Sequence, residues 1–351
     1  MRSSGFLLIC LLFVFSCTSH KSTKTEAVPI ASGYMPSLAK DANNNMHLVY
    51  GNGDSIMYVA SFDEGQNFGN PVLIDTLTDL VDNATRGPQI AVTKNGLAVI
   101  AVNKQGNIIS FTKNARGNWA KSMKVNDADT TNKEGFLALG SDGDSTLFAV
   151  WPDLRNDSKN KVYGARSTDA GKTWSSNVLV YASPSGSICE CCKQSVVIED
   201  RDVYIMFRNI VDGNRDMYLI QSNDGGLTFG AAQKCGSGNW PLDGCPMDGG
   251  GIVVNAGNTK CTWRRRDSIF IAVPGNTEQF MSRGKNATIA ATTSKTALAW
   301  NKDGRIFYKL DNGPEKPVGR GKSQVLQMVG DKKIICVWDD NGIIRYSLFD
   351  I

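Results

Sequence analysis

Short apolar segments recur at even spacing from residue 35 to the end of the chain, and turn residues separate them. Each repeat opens with a small or β-branched apolar stretch, and two further short apolar runs follow it. Seven such openings occur, at residues 35–39, 86–91, 134–138, 192–197, 247–252, 286–290 and 323–326. Short strands with this spacing are typical of a propeller, and no long stretch has a helical period. The pattern predicts an all-β, seven-bladed β-propeller, with six blades as the alternative.

The last repeat contains only three predicted strands before the chain ends at Ile351. Residues 27–30, Ala-Val-Pro-Ile, form a short apolar segment at the other end of the same region. An N-terminal strand that pairs with the last repeat would remove the exposed edge of an incomplete blade. We therefore predict that the ring is closed by this strand.

A turn signature is repeated at residues 61–68, 167–174 and 222–229, and the second copy reads Ser-Thr-Asp-Ala-Gly-Lys-Thr-Trp. The Ser and Asp side chains can accept hydrogen bonds from turn N–H groups, Gly tolerates a positive φ, and the final aromatic residue packs the turn onto the sheet. The closing aromatic residues are Phe68, Trp174 and Phe229, and a degenerate segment at residues 116–119 supplies Trp119 between the first two. They therefore recur at intervals of 51, 55 and 55 residues, and a period near 50 is typical of propeller blades.

This signature resembles the Asp box of sialidase-like proteins, Ser-x-Asp-x-Gly-x-Thr-Trp, which residues 167–174 match in full and the other copies match in part. The resemblance implies a propeller of sialidase-like type. It also implies that Asp63, Asp169 and Asp224 are structural residues on the face opposite to the active site.

Residues 86–88, Arg-Gly-Pro, resemble the Arg-x-Pro that carries the first of the family's three carboxylate-binding arginines. Arg208 and Arg264 are the candidates that would complete this set. The family's Tyr nucleophile has one weak candidate here, Tyr346. The resemblance extends to sialidase-like envelope lipoproteins over nearly the whole mature chain, and that wider group implies no single activity.

The N-terminus has the pattern of a secretory signal, with Arg2 ahead of a short apolar run from residue 6 to residue 15. Residues 14–18, Val-Phe-Ser-Cys-Thr, resemble a bacterial lipobox. We predict a signal peptide at residues 1–16, lipidation of Cys17, a tether at 17–27 and one propeller domain at 28–351. The alternative is an ordinary signal peptide with a chance Cys. Lipidation would place the protein in the bacterial cell envelope.

The composition of the chain argues against several classes of function. The formal charge is only +4 and there is no basic stripe interleaved with aromatic residues, so nucleic acid is not an expected partner. The chain has two histidines, His20 and His47, which argues against a histidine-based triad and a His-rich metal site.

Propeller geometry brings the openings of the inner strands and the loops between second and third strands to one face. Carboxylates and cations predicted there are candidates for catalysis and for ligand binding. The catalytic candidates are Glu134, Glu190 and Asp248, because glycoside cleavage needs an acid and a second carboxylate or a Tyr nucleophile. The binding candidates are Arg86, Asp153, Arg155, Arg208, Arg215, Arg264 and Lys285.

Guanidinium groups pair with carboxylate or sulfate through two hydrogen bonds, so this face predicts an acidic oligosaccharide or glycoconjugate as the partner. Cleavage by a glycosidase or lyase and binding alone both remain open. The alternative is a non-catalytic interaction or metal-binding propeller. The membrane would be reached only through the lipid anchor.

Four cysteines, Cys189, Cys191, Cys192 and Cys245, fall near the openings of the fourth and fifth repeats. In an extracytoplasmic protein they predict a disulfide between Cys245 and either Cys191 or Cys192. The alternative is a site for copper or zinc, since thiolates prefer soft metals. No other cofactor is expected.

Overall fold

The structure is a computed structural model that describes residues 27–129 and 132–351. The described residues form 28 strands, β1 to β28, in seven four-stranded antiparallel sheets. They contain no helix, and therefore none long and apolar enough to span a membrane. The seven-bladed propeller is confirmed, and the six-bladed alternative is wrong.

The first strand of the chain is β1 (Val28–Ser32), and the next twelve strands form three complete blades in chain order. Blade 1 consists of β2 (Tyr34–Lys40), β3 (Met46–Asn52), β4 (Ser55–Ser61) and β5 (Val72–Thr76). Blade 2 consists of β6 (Gln89–Thr93), β7 (Gly96–Val102), β8 (Ile108–Lys113) and β9 (Trp119–Lys124). Blade 3 consists of β10 (Ala138–Ser141), β11 (Leu147–Asp153), β12 (Lys161–Ser167) and β13 (Val178–Tyr181).

The remaining strands form blades 4 to 7. Blade 4 consists of β14 (Ser195–Glu199), β15 (Asp202–Val211), β16 (Asn214–Ser222) and β17 (Gln233–Lys234). Blade 5 consists of β18 (Gly250–Asn255), β19 (Asn258–Arg265), β20 (Ser268–Ala272) and β21 (Gln279–Arg283). Blade 6 consists of β22 (Lys285–Ala291), β23 (Thr296–Lys302), β24 (Arg305–Leu310) and β25 (Lys316–Arg320). Blade 7 combines β26 (Lys322–Val329), β27 (Lys333–Asp340) and β28 (Ile343–Asp350) with β1.

The predicted closure by the N-terminal strand is present. Strand β1 pairs antiparallel with β28, with Val28 opposite Tyr346 and Ser32 opposite Ile343. Pro29 lies in this outermost strand, where the missing N–H does not interrupt a central ladder. The first and last segments of the described chain therefore share one sheet.

The core lies between the blades, because each sheet packs against a neighbour on both of its faces. The second strands are consequently buried on both sides, as in β11, where all seven residues are buried. Trp151, Trp300 and Trp338 are the largest fully buried side chains, and each is in the second strand of its blade. This two-sided burial explains why these strands are nearly continuous apolar runs in the sequence.

The two faces of the ring differ in the loops that form them. The repeated turns join third and fourth strands, and they contact loops between first and second strands, as when Ala170 N donates to Ser145 O at 2.9 Å. We call this side the lower face. The upper face carries the loops before each first strand and the loops between second and third strands.

Some residues predicted to lie in loops of the upper face are in strands instead. Strands β15 and β16 pair as far as Val211 opposite Asn214, so Arg208 and Arg215 lie inside a long hairpin. The hairpin closes through Asp212 and Gly213, which both have positive φ, as a tight two-residue turn requires. Arg264 likewise lies near the end of β19.

Candidate functional site

A disulfide between Cys191 and Cys245 joins the loop before β14 to the loop before β18 on the upper face, with a Cα–Cα distance of 6.1 Å. One of the two predicted pairings is therefore present. The bond connects the loops that precede blades 4 and 5, and the residues between the two cysteines contain all four strands of blade 4. It stabilises the upper face covalently between these two blades.

Cys189 and Cys192 are buried thiols beside this disulfide, and their sulfur atoms are 3.3 Å apart. The hydrogen bond between the two thiols lowers the pKa of Cys189 to about 7, and a hydrogen bond from Arg215 adds to the effect, while burial opposes it. Burial raises the pKa of Cys192. The pair therefore favours one thiolate, at Cys189, and one thiol.

Arg215 connects this pair to the solvent-facing part of the loop. Its Nη1 atom donates to Cys189 Sγ at 3.1 Å and lies 3.4 Å from Glu190 Oε2. The Glu190 side chain is 41% exposed, so it reaches the solvent on the upper face. The structure thus brings together three of the predicted site residues.

Arg86 and Glu134 form a second charged pair, with Arg86 Nη2 3.9 Å from Glu134 Oε2. Arg86 Nε also donates to the backbone carbonyl of Glu134, and the guanidinium lies over the ring of Phe136 at 4.4 Å. Burial raises the pKa of Glu134, Arg86 opposes this effect and the negative charge of Glu190 adds to it. Glu134 is therefore a partly exposed carboxyl on this face whose protonated form is favoured.

Asp248 lies fully buried between blades 5 and 6. Its Oδ2 atom accepts from the backbone N–H of Asn286 at 2.8 Å and lies 3.5 Å from Arg264 Nη1. Burial raises the pKa of Asp248, against the positive charges of Arg208 and Arg264. In this position Asp248 orients Arg264, and its carboxylate is shielded from solvent.

Arg208 is 1% exposed and is engaged within the protein. Its guanidinium donates to three backbone carbonyls, at 2.8 to 3.2 Å, which belong to Arg215, Asp248 and Arg264. Trp240 packs against the guanidinium groups of both Arg208 and Arg264, at 5.1 and 5.4 Å. The visible role of Arg208 is to connect strand ends of blades 4 and 5.

Asp153 and Arg155 pair with each other on blade 3. Arg155 Nε and Nη2 donate to the two carboxylate oxygens of Asp153 at 2.9 and 2.8 Å. Nη1 and Nη2 also donate to Asp127 and Asn177. The donors of Arg155 are therefore used inside the protein, separately from the cysteine cluster.

A groove of about 510 Å³ opens between blades 5 and 6 on the upper face. Four cations line it together with two carboxylates: Arg264, Arg283, Lys285 and Lys302, and Asp267 and Asp303. Arg264 and Lys285 were predicted from the sequence, and the other four were not. Arg283 had a recognisable signal, because it lies two residues before Lys285 in the chain.

Lys193 is a further upper-face residue that the sequence analysis missed. Its Nζ atom donates to Gln89 Oε1 at 2.9 Å, which links the openings of blades 4 and 2. Burial lowers the pKa of Lys193 to about 8. Gly249 packs so closely that a Cβ there would lie 2.5 Å from the Lys193 carbonyl oxygen, so a larger residue would not fit.

The repeated turns lie on the lower face, away from these groups. Asp169 accepts from the backbone N–H and the hydroxyl of Thr173 and from the hydroxyl of Ser167, at 2.6 to 2.9 Å. The same pattern of contacts occurs at Asp63 and Asp224. Tyr346 also points to this face, because its hydroxyl donates to the Gln66 carbonyl.

Cys17 and the predicted signal and tether, apart from Ala27, lie outside the described residues.

Comparison with known proteins supports the fold without naming a family. No protein-family model matches the sequence, and no curated protein matches it. Among solved structures, the chain is similar to polysaccharide lyase Uly1 (9% identity, 92% of this chain and 90% of that chain, TM-score 0.56). It is also similar to the Aleuria aurantia lectin bound to Fucα1-6GlcNAc (9% identity, 82% of this chain and 96% of that chain, TM-score 0.54).

A third similar structure is the GH93 α-L-arabinofuranosidase of Fusarium graminearum with arabinobiose (12% identity, 92% of this chain and 97% of that chain, TM-score 0.51). At these identities the likeness shows the fold alone. The β-propeller fold predicted from the sequence is confirmed at that level.

Proposed function

We propose that this protein binds an acidic glycan in the groove between blades 5 and 6. The observation that carries the proposal is the set of four cations around one cavity of about 510 Å³. Known small-molecule sites have volumes of roughly 300–1,000 Å³. The three similar structures are a polysaccharide lyase, a lectin bound to a glycan and an arabinofuranosidase, which supports a glycan as the ligand class.

The charge arrangement favours an anionic sugar. Arg264 is held in place by buried Asp248, so part of the binding site is ordered before the ligand arrives. The Lys285 side chain has no ion-pair partner among the described residues and is exposed. A carboxylate or sulfate would pair with these cations, while Asp267 and Asp303 would accept from sugar hydroxyls.

Titration of the full chain with uronic, sulfated and sialylated oligosaccharides, and with neutral ones, tests the proposal. Lys285→Gln should weaken binding of the acidic ligand by about 10- to 150-fold, which corresponds to the loss of one hydrogen bond to a charged group. Lys172→Gln is the matched control, because Lys172 is an exposed lysine on the lower face. Equal affinities for both variants would reject the groove, and a preference for neutral sugars would reject the acidic class.

Cleavage at the centre of the upper face is a second candidate function, favoured by the raised pKa of Glu134 and by the nearby charge of Glu190. Glu134 would protonate the leaving oxygen and Glu190 would be the second carboxylate. Glu134→Gln should then lower product formation by about 10²- to 10⁴-fold and leave binding in the groove unchanged. Product formation at the wild-type rate would remove Glu134 from this role.

We also propose that Cys17 anchors the protein to a membrane of the cell envelope, on the basis of the sequence at residues 14–18. Wild-type protein should partition into the detergent phase of a phase separation, and Cys17→Ser should partition into the aqueous phase. Aqueous partitioning of the wild type would reject the anchor.

A further inference from the structure

We propose that Cys189 and Cys192 form a binding site for copper(I), supported by the neighbouring Cys191–Cys245 disulfide. The proposal is independent of the glycan groove. It rests on the placement of two buried thiols next to a covalently fixed turn and a pair of arginines.

The sulfur atoms are already grouped as a metal site requires. Among the described residues, the Sγ atoms of Cys189, Cys191 and Cys192 lie within 4.8 Å of one another. Cys191 is committed to the disulfide with Cys245, which leaves Cys189 and Cys192, with sulfur atoms 3.3 Å apart, as the two thiol ligands. The turn at residues 190–191 brings the two thiols, three residues apart, to the same side of the loop.

The number and type of ligands favour copper(I) over zinc. Thiolates select soft metals such as copper(I), whereas structural zinc sites are almost always four-coordinate. Within the described residues, the ligand group here contains sulfur atoms only. Of the nearby carboxylates, Glu190 pairs with Arg215, and Asp248 pairs with Arg264 through its Oδ2 atom. Two thiolates can satisfy copper(I), which accepts two ligands, when the sulfur atoms, now 3.3 Å apart, move outward to opposite sides of the ion. They do not satisfy zinc.

The charges around the thiols suit the complex. Copper(I) with two thiolates carries one net negative charge, and Arg215 Nη1 lies 3.1 Å from Cys189 Sγ. The buried guanidinium of Arg208 acts on both cysteines through its positive charge, and the Asp248 backbone amide donates to Cys192. Groups that contact the ligands of a metal in this way orient the ligands and tune the affinity.

The two thiols are buried next to a side chain that reaches the solvent. Cys189 and Cys192 are each 1% exposed, while Glu190, which lies between them in the chain, has a side chain that is 41% exposed. The loop that holds the two thiols is therefore open to solvent at Glu190. Metal binding would displace the thiol protons into the solvent.

The test is an anaerobic titration of the full chain with copper(I) against a chromogenic copper(I) chelator. Ascorbate keeps the copper reduced and leaves disulfides intact. We expect one copper(I) per chain with the Cys191–Cys245 bond retained, and at least ~100-fold weaker binding in Cys189→Ser and in Cys192→Ser. Arg215→Gln should weaken binding by about 10- to 100-fold. Cys336→Ala is the matched control, because Cys336 is a buried thiol in β27.

Three results would overturn the proposal. They are a wild type that binds no copper(I), equal losses in Cys336→Ala and Cys189→Ser, and a Cys189–Cys192 disulfide in the isolated protein. If a serine variant does not fold, alkylation of the wild type decides the question. Added copper(I) should block alkylation of Cys189 and Cys192, and added zinc should leave it unchanged. Normal copper binding in Lys285→Gln would separate this site from the glycan groove.

Discussion

The aspartates of the repeated turns on the lower face and two partly or fully buried acids of the upper face have opposite electrostatic environments. On the lower face, a hydrogen bond from the Asn67 backbone, helped by the Asn67 side chain and Ser61, lowers the pKa of Asp63 to about 2. Hydrogen bonds led by the Thr228 hydroxyl lower the pKa of Asp224 further. On the upper face, burial raises the pKa of both Glu134 and Asp248.

The supply of hydrogen-bond donors explains this difference. A turn aspartate near solvent accepts from several N–H and hydroxyl groups, so its charged form is favoured. Asp248 is fully buried, and its Oδ1 atom accepts no hydrogen bond among the described residues. Such a carboxylate costs stability and is retained where it orients a functional group. We infer that the lower face stabilises the blades and the upper face carries the chemistry.

Opening the ring should disrupt both faces at once, with the largest effect on stability. Deletion of residues 28–32 removes the outer strand of blade 7 and the backbone hydrogen bonds it makes with β28. At about 1 kcal/mol for each backbone hydrogen bond, we expect the free energy of unfolding to fall by about 3 to 5 kcal/mol. Denaturant unfolding measures the change. An unchanged midpoint would contradict closure by β1.

Removal of the disulfide should destabilise the upper side of blades 4 and 5. Cys245→Ala should lower the free energy of unfolding by about 2 to 5 kcal/mol, the usual range for a native disulfide. As a control, adding Cys191→Ala to Cys245→Ala should cost little more, because the bond is already lost. If the two losses add instead, each cysteine contributes separately and the bond is not the cause.

Substitution of one acidic residue on each face should affect stability to different extents. Asp169→Ala leaves donors of Ser167 and Thr173 without an acceptor, so we expect a loss of about 1 to 3 kcal/mol in the free energy of unfolding and unchanged glycan affinity. Glu134→Gln should change stability less than Asp169→Ala does. A larger drop in melting temperature for Glu134→Gln than for Asp169→Ala would contradict the structural role assigned to Asp169.

The dependence of stability on pH should have opposite signs for the turn aspartates of the lower face and for Asp248 on the upper face. The pKa of Asp63 and of Asp224 is lower in the folded than in the unfolded chain, so their contribution is present above about pH 4 and is lost as the pH falls towards 2. The raised pKa of Asp248 has the opposite effect, because its charged form is disfavoured in the folded state and acid relieves this cost.

Unfolding at pH 2.5 and at pH 6 measures these effects. Asp224→Asn should lose less stability on acidification than the wild type, and Asp248→Asn should lose more. Identical pH profiles in both variants would contradict the assignment of opposite electrostatic environments to the two faces.

The sequence allowed the blade number, the closing strand and one disulfide to be predicted, because each leaves a local pattern. The partners of long charged side chains leave no such pattern. Arg208 and Arg155 were both predicted to bind a ligand, yet Arg208 is enclosed by backbone carbonyls and Arg155 pairs with Asp153. Their positions in strands and loops were partly predictable, whereas the direction of each guanidinium depends on residues far away in the chain. Lys302 was missed for the same reason.

Hydrogen exchange of the full chain, with and without a bound acidic oligosaccharide, tests the division between the faces most directly. The account predicts slower exchange in residues 264–267, 283–286 and 301–304, which line the groove, and unchanged exchange in the lower turns at 61–68, 167–174 and 222–229. Protection confined to the lower turns, with none around the groove, would contradict it.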